Sequence, residues 1–181
     1  MLDLASQSWS AVSNINSQSL TAGQGFLIYI FDDVDYDGSS DLPVDLYVSG
    51  AHNTGNVSIG SIPQNSYYLA GNPYIKTIDW NDVSKNNLSS VISVWDDATS
   101  SWKTWNGSSG DLSNGLIAPF QGFWVQASGG VGSFTIQSDD IATSAGSFLG
   151  RTTNEEQTGS LILSISANNH IDRVYLTFNE F

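Results

Sequence analysis

This chain repeats itself, and the repeat limits what it can fold into. Leu20-Thr-Ala-Gly-Gln-Gly-Phe-Leu-Ile-Tyr29 aligns with Ile117-Ala-Pro-Phe-Gln-Gly-Phe-Trp-Val-Gln126. In both, a Gln-Gly-Phe triplet (Gln24-Gly25-Phe26 and Gln121-Gly122-Phe123) opens an apolar run. Ser8-Trp9 corresponds to Ser101-Trp102 upstream, and each unit supplies a further strand downstream, over 45–49 and 133–137. A duplicated unit of this length predicts an all-β chain: two related antiparallel β-sandwich-like subdomains with short turns and at most one short helix. The expected boundaries are 1–62 for the first repeat, which carries an acidic loop, and 63–143 for the second. A small, polar linker at 144–159 and a β-hairpin at 160–181, beginning a further β unit, complete the chain. The second copy has an earlier part, from Tyr67 through Trp80, that the first lacks. The expectation is therefore a piece of a longer chain, or a unit completed by a neighbour.

Composition favours strands over helices. Ser, Asn, Gly and Thr are abundant while Lys and Glu are scarce, which suits short strands joined by turns. Gly25 to Phe31 is a continuous apolar run and predicts a strand buried on both faces. Leu46 and Val48, then Val57 and Ile59, alternate about 49–55 as one hairpin. A second hairpin joins Val91–Trp95 to Trp102–Trp105 through 96–101. A third joins Gly122–Ala127 to Ser133–Gln137 through Ser128, Gly129 and Gly130. Leu161, Leu163 and Ile165, then Val174, Leu176 and Phe178, predict a last hairpin. The one short helix is expected around Asn81–Leu88.

The acidic loop carries the clearest chemistry. In Phe31-Asp-Asp-Val-Asp-Tyr-Asp-Gly-Ser-Ser-Asp41, Asp33, Asp35 and Asp37 alternate and Gly38 follows at once. Alternating carboxylates in a short loop repel one another unless a hard cation lies between them, and Gly38 permits the turn that aims them inward. An EF-hand needs a bidentate Glu at its twelfth position, where this chain has Val44, so the loop is not an EF-hand. Its pattern is similar to the DxDxDGxxD calcium loops of extracellular repeat proteins. The expected calcium (Ca2+) ligands are Asp33, Asp35, Asp37, the Ser39 carbonyl and Asp41. A solvated acidic turn between strands is the alternative.

Charge removes several classes of partner. Eighteen acids against five bases give a net charge of −13, which argues against binding nucleic acid or an anionic membrane surface. Cys is absent, so disulfides and thiolate metal sites are excluded. No apolar run reaches the roughly 20 residues that span a bilayer, so no membrane insertion is expected. The N-terminus has neither a basic nor an apolar leader region. His52 and His170 fall in expected turns with no nucleophile motif beside them. HExxH, GxSxG and phosphate-loop patterns do not occur. Asp79, Asp82, Asp96, Asp97 and Asp111 sit in turn-like contexts, where Asp caps backbone amides. No catalytic residue is assigned, and the chain is not expected to be an enzyme.

Several spaced motifs occur in order: Leu69-Ala-Gly-Asn-Pro-Tyr74, Ile78-Asp79-Trp80, Val94-Trp95-Asp96, Trp102 to Gly107, and Ile117-Ala-Pro-Phe-Gln-Gly-Phe-Trp-Val125. This order resembles a repeat family of large secreted and surface proteins of Bacteroidetes-type bacteria, exported by the type IX secretion system. The match covers most of residues 8–178. The resemblance implies export to the cell surface or medium and a β-rich, non-catalytic accessory or adhesive role. It attaches no catalytic residue to these motifs.

Eight large amphipathic aromatics lie between Tyr67 and Trp124, more than a small sandwich core needs. Alternation sets Trp102 and Lys103 on opposite faces and Trp105 on the face of Lys103, so at least one Trp points outward. Trp102, Trp105, Trp124 and Tyr74 are the candidate ligand contacts, since exposed rings beside amides and carboxylates suit sugar binding. The leading expectation is a non-catalytic, calcium-stabilised module for adhesion or surface structure. It would meet a glycan or a neighbouring surface protein, or self-associate through edge strands near Met1 and Phe181. A carbohydrate-binding module is the alternative, and a fragment of a polysaccharide-active enzyme the remote one.

Overall fold

A computed structural model describes residues 1–28, 33, 35–40, 49–149, 160–167 and 170–177. It is all-β and sandwich-like. A four-stranded antiparallel sheet has the order β4 (Tyr67–Gly71), β10 (Gly122–Gln126), β7 (Ile92–Asp96), β8 (Ser101–Trp105). A three-stranded sheet has the order β3 (Val57–Ile62), β11 (Gly132–Ile136), β6 (Ser84–Asn86). Small two-stranded pairings join β1 (Leu2–Asp3) to β2 (Ser8–Trp9), and β5 (Ile78–Asp79) to β9 (Leu116–Ile117). A separate hairpin pairs β12 (Ser160–Ala167) with β13 (His170–Thr177).

The core lies between the two larger sheets, and the two-residue period of the strands decides which side chains fill it. Phe123 and Val125 of β10, Ile92 and Val94 of β7, and Tyr68 and Ala70 of β4 are buried on one side. Val57, Ile62, Phe134 and Ile136 face them from the other sheet. Trp80 joins the layers, with its ring edge-to-face against Phe123 at 5.2 Å and Phe134 at 5.4 Å. The pairing of β3 with β11 shifts register between Gly132 and Phe134, where Ser61 takes φ 60°. That bulge flips the alternation and lets Ile62 turn inward three residues after Ile59, where a regular strand would point it out.

The two Gln-Gly-Phe triplets flank one strand. On one side of β4, Phe123 lies opposite Ala70 in the β10 ladder. On the other side Gln24 bridges to the same Ala70, Gly25 N donates to Leu69 O (2.9 Å), and Gly71 N donates to Gly23 O (3.1 Å). The glycines differ in what they permit. A Cβ on Gly25 would lie 2.6 Å from Ala70 O and 2.7 Å from the Leu69 Cγ, whereas at Gly122 the nearest atoms are 3.7 Å away. Close approach therefore accounts for Gly25 and not for Gly122. Gly25→Ala is expected to cost about 1–3 kcal/mol by overpacking, and Gly122→Ala under about 1 kcal/mol. Paired urea melts check this, and equal costs for the two variants would refute it.

Four expectations need correction. Phe26, Leu27 and Ile28 are 39%, 64% and 54% exposed and form no strand, because no second layer among the described residues covers them. Tyr29–Phe31 and the 41–48 half of the first hairpin lie outside the described residues. Strands β10 and β11 are not a hairpin but belong to different sheets, and the connection through Ala127 crosses between the layers. No helix forms at 81–88. The Asp79 carboxylate accepts the Asn81 N–H (2.9 Å) in a tight turn, and Ser84–Asn86 then pairs with β11. His170 stands in β13 opposite Ala167, not in the turn.

The expected hairpin of β7 and β8 is present, with Trp95 opposite Trp102 and Ile92 opposite Trp105. Strand β3, placed by sequence at the end of the first repeat, joins the last sheet strand of the second. Residues 142–149 carry no regular structure but are tied down. Ala142 N donates to Thr77 O (2.9 Å), Gly146 N to the Thr77 hydroxyl (3.0 Å), and Leu149 N to the Gln121 carboxamide (2.7 Å). The Gln of the second triplet thus holds a segment supplied from the predicted linker.

Candidate functional site

Asp33, Asp35 and Asp37 converge. One carboxylate oxygen from each lies within 4.8 Å of the others. Backbone geometry creates this convergence. Tyr36 and Gly38 adopt left-handed φ values of 61° and 87°, so the chain curls and its N–H groups turn inward. Asp37 N donates to Asp33 Oδ1 (3.2 Å) and Asp35 Oδ1 (3.3 Å), Gly38 N to Asp33 Oδ2 (2.9 Å), and Ser39 N to Asp37 Oδ1 (2.7 Å). Asp33 is half-buried, whereas Asp35 and Asp37 are exposed. Hard oxygen donors in a glycine-turned loop suit Ca2+, which accepts irregular shells of carboxylate, carbonyl and water oxygens. Asp41 lies outside the described residues.

The aromatic candidates separate into two groups. Tyr74 is 3% exposed, and its hydroxyl donates to Gly55 O (2.9 Å) and Ile136 O (3.4 Å). Burial, followed by the charges of Asp140 and Asp139, raises its pKa above the ordinary tyrosine value. Trp105 is 7% exposed, and its indole N–H donates to Asn81 Oδ1 (2.8 Å). Both are core residues whose polar tips find internal partners, so neither contacts a ligand at the surface.

Trp102 and Trp124 stand on the outward face of the four-stranded sheet. Trp102 is 51% exposed and meets Trp95, 43% exposed, edge-to-face at 5.3 Å. The Trp95 indole N–H is held by Asp97 Oδ1 (3.3 Å). Trp124 is half-buried beneath Trp9 at 5.9 Å and beside Tyr67 at 6.4 Å, both rings edge-on to it. Trp9 and Tyr67 are missing from the sequence-based candidates, as is Trp95. Hairpin register across 96–101 could have found Trp95; for Trp9, which reaches the face from the β1–β2 hairpin, the available signal was its alignment with Trp102 in the repeat.

Other charged groups act structurally. Asp96 is buried and accepts Ala98 N–H (3.2 Å) and the Thr99 hydroxyl (2.6 Å). Lys103 points inward beside Asp96 (3.9 Å) and Asp111 (3.8 Å). Asp111 Oδ1 accepts Thr104 N–H (2.7 Å) while its own N–H donates to Thr104 O (2.9 Å). That backbone hydrogen bond from Thr104 is the main cause of the lowered pKa of Asp111. Lys85 sits 4.9 Å over the Trp80 ring, and burial lowers its pKa. Among the described residues no helix is long and apolar enough to cross a membrane. No protein-family model, curated protein or solved structure matches this chain.

Proposed function

We propose that this chain is a non-catalytic, calcium-stabilised β module of an exported bacterial surface protein, serving adhesion or surface structure. The observation that carries the calcium is the convergence of the Asp33, Asp35 and Asp37 carboxylates within 4.8 Å. At about 4 Å a pair of such charges repels by roughly 1 kcal/mol even in water, and a divalent cation turns that repulsion into coordination. Export and the surface role rest on the order of motifs from Leu69 to Val125. They fit an acidic chain without Cys, working where calcium is plentiful.

Calorimetric titration tests this reading. Calcium is expected to bind with a Kd of about 1 mM or tighter, the range of extracellular modules. At 100 times its Kd it would add about 2.7 kcal/mol, raising the Tm by about 5–10 °C for a chain of this size. Asp33→Asn, which alters the carboxylate bonded to both Asp37 and Gly38, is expected to abolish both effects. A chain that takes up no calcium and melts identically in EGTA would end the proposal.

A further inference from the structure

We infer that the outward face of the four-stranded sheet is a binding platform for a neutral glycan. This inference rests on the adhesive reading above, to which it supplies a ligand. The rings form two clusters on one surface. In the first, Trp124 is flanked by Trp9 and Tyr67, which are 46% and 49% exposed. In the second, Trp95 and Trp102 pair across β7 and β8. Register joins the clusters. Trp124 lies opposite Ser93, Ser93 lies opposite Thr104, and Trp95 stands two residues along from Ser93 on the same face. Diagonal neighbours of this kind are about 7–8 Å apart, so the second cluster begins where the first ends.

Three properties of the face select the ligand. First, the cross-strand pairing of Trp95 with Trp102 leaves about half of each ring in water, so stabilising the hairpin does not use up their surface. Second, Ser93 and Thr104 beside the second cluster and Gln126 beside the first are hydroxyl and carboxamide groups, all half-buried. The outward aliphatic Leu69 is already covered, at 4% exposure. A surface of rings set among hydroxyls, a carboxamide and the Asp97 carboxylate that holds the Trp95 indole fits a ligand with C–H faces and hydroxyl edges, better than an acyl chain or an aliphatic protein patch. Third, charge complementarity excludes anions. The nearest lysine in sequence, Lys103, turns to the opposite side toward Asp96 and Asp111, and the chain carries −13 overall. Acidic polysaccharides, nucleic acids and anionic lipids would meet repulsion from that net charge.

The test titrates the calcium-loaded chain with xylohexaose, cellohexaose and mannohexaose, using polygalacturonate as the anionic control, and follows heat and tryptophan fluorescence. At least one neutral hexasaccharide is expected to bind and polygalacturonate is not. Trp102→Ala and Trp95→Ala are each expected to weaken binding about tenfold, and Trp124→Tyr to weaken it less. Both Ala variants remove exposed rings, and urea melts close to the parent's certify that they are folded. The inference is overturned if no neutral sugar binds, if the Ala variants bind as well as the parent, or if polygalacturonate binds more tightly. A dimer dispersed by Trp102→Ala also overturns it, since the face would then be covered by a second copy. Calcium binding without sugar binding sinks this inference alone; sugar binding without calcium uptake sinks only the calcium reading.

Discussion

Trp80→Ala is expected to destabilise the chain by about 3–5 kcal/mol, the range for a large aromatic cut from a packed core. Trp80 is 2% exposed and touches both sheets, through Phe123 of β10 and Phe134 of β11. Removing it leaves a cavity at the seam, where neither layer can close without shifting against the other. The variant also takes away the ring beneath the Lys85 ammonium, which donates to the Trp80 carbonyl. Set against a total stability of about 5–15 kcal/mol for an ordinary domain, such a loss brings the chain close to unfolding at 37 °C. Urea denaturation followed by far-ultraviolet circular dichroism measures it, and Trp80→Phe should recover part of the loss. A cost below about 1 kcal/mol would mean that the two sheets do not depend on this contact.

Asn72→Ala is expected to cost about 3 kcal/mol through unmet hydrogen bonds, although it deletes little apolar surface. The Asn72 carboxamide is buried, and its Nδ2 serves the carbonyls of Lys76 (2.8 Å), Ile117 (3.1 Å) and Ala118 (3.0 Å). Its Oδ1 accepts the Tyr74 N–H (2.9 Å). Ile117 and Ala118 are themselves buried, so water does not readily replace the lost donor. Asn72→Asp keeps an acceptor for Tyr74 but turns an oxygen toward the three carbonyls. It is therefore expected to cost at least as much as Ala. Chemical denaturation of both variants at neutral pH decides this; an Asp variant of parental stability would show that the carboxamide is not the staple described.

These two residues also explain how far the sequence could be read. The bond from the Tyr74 N–H to Asn72 Oδ1 is local and of a kind that Asn-Pro suggests, but the reach of the Asn72 side chain to residues 117 and 118 has no local signature. Alternation set Trp102 and Lys103 on opposite faces because a strand's period is geometric and needs no knowledge of neighbours; which of the two faces water came only with the packing. Tyr74 and Trp105 were misassigned because an amphipathic ring reads alike in a core and on a surface; the Gly55 carbonyl and Asn81 carboxamide that receive their polar tips are distant in sequence. Ser128-Gly129-Gly130 has the composition of a hairpin turn and instead leads the chain from one layer to the other. Ser84-Lys85-Asn86 has no apolar period at all and becomes a strand only because β11 offers an edge. The convergence of Asp33, Asp35 and Asp37 was legible because it is set within consecutive residues.

Two polar residues stand in for β-strands at the rims of the larger sheet. Gln7 lays its carboxamide against Tyr67, accepting its N–H (2.8 Å) and donating to its carbonyl (3.1 Å). At the opposite rim Asp111 holds Thr104 with one side-chain and one backbone group, its Oδ1 accepting the Thr104 N–H and its own N–H donating to the Thr104 carbonyl. A growing sheet needs a continuous row of vacant amides and carbonyls to recruit the next chain. Here each row is interrupted by a group that belongs to the molecule itself. The width of this sheet is thereby set from within, and such a protein can be concentrated without its larger sheets fusing edge to edge.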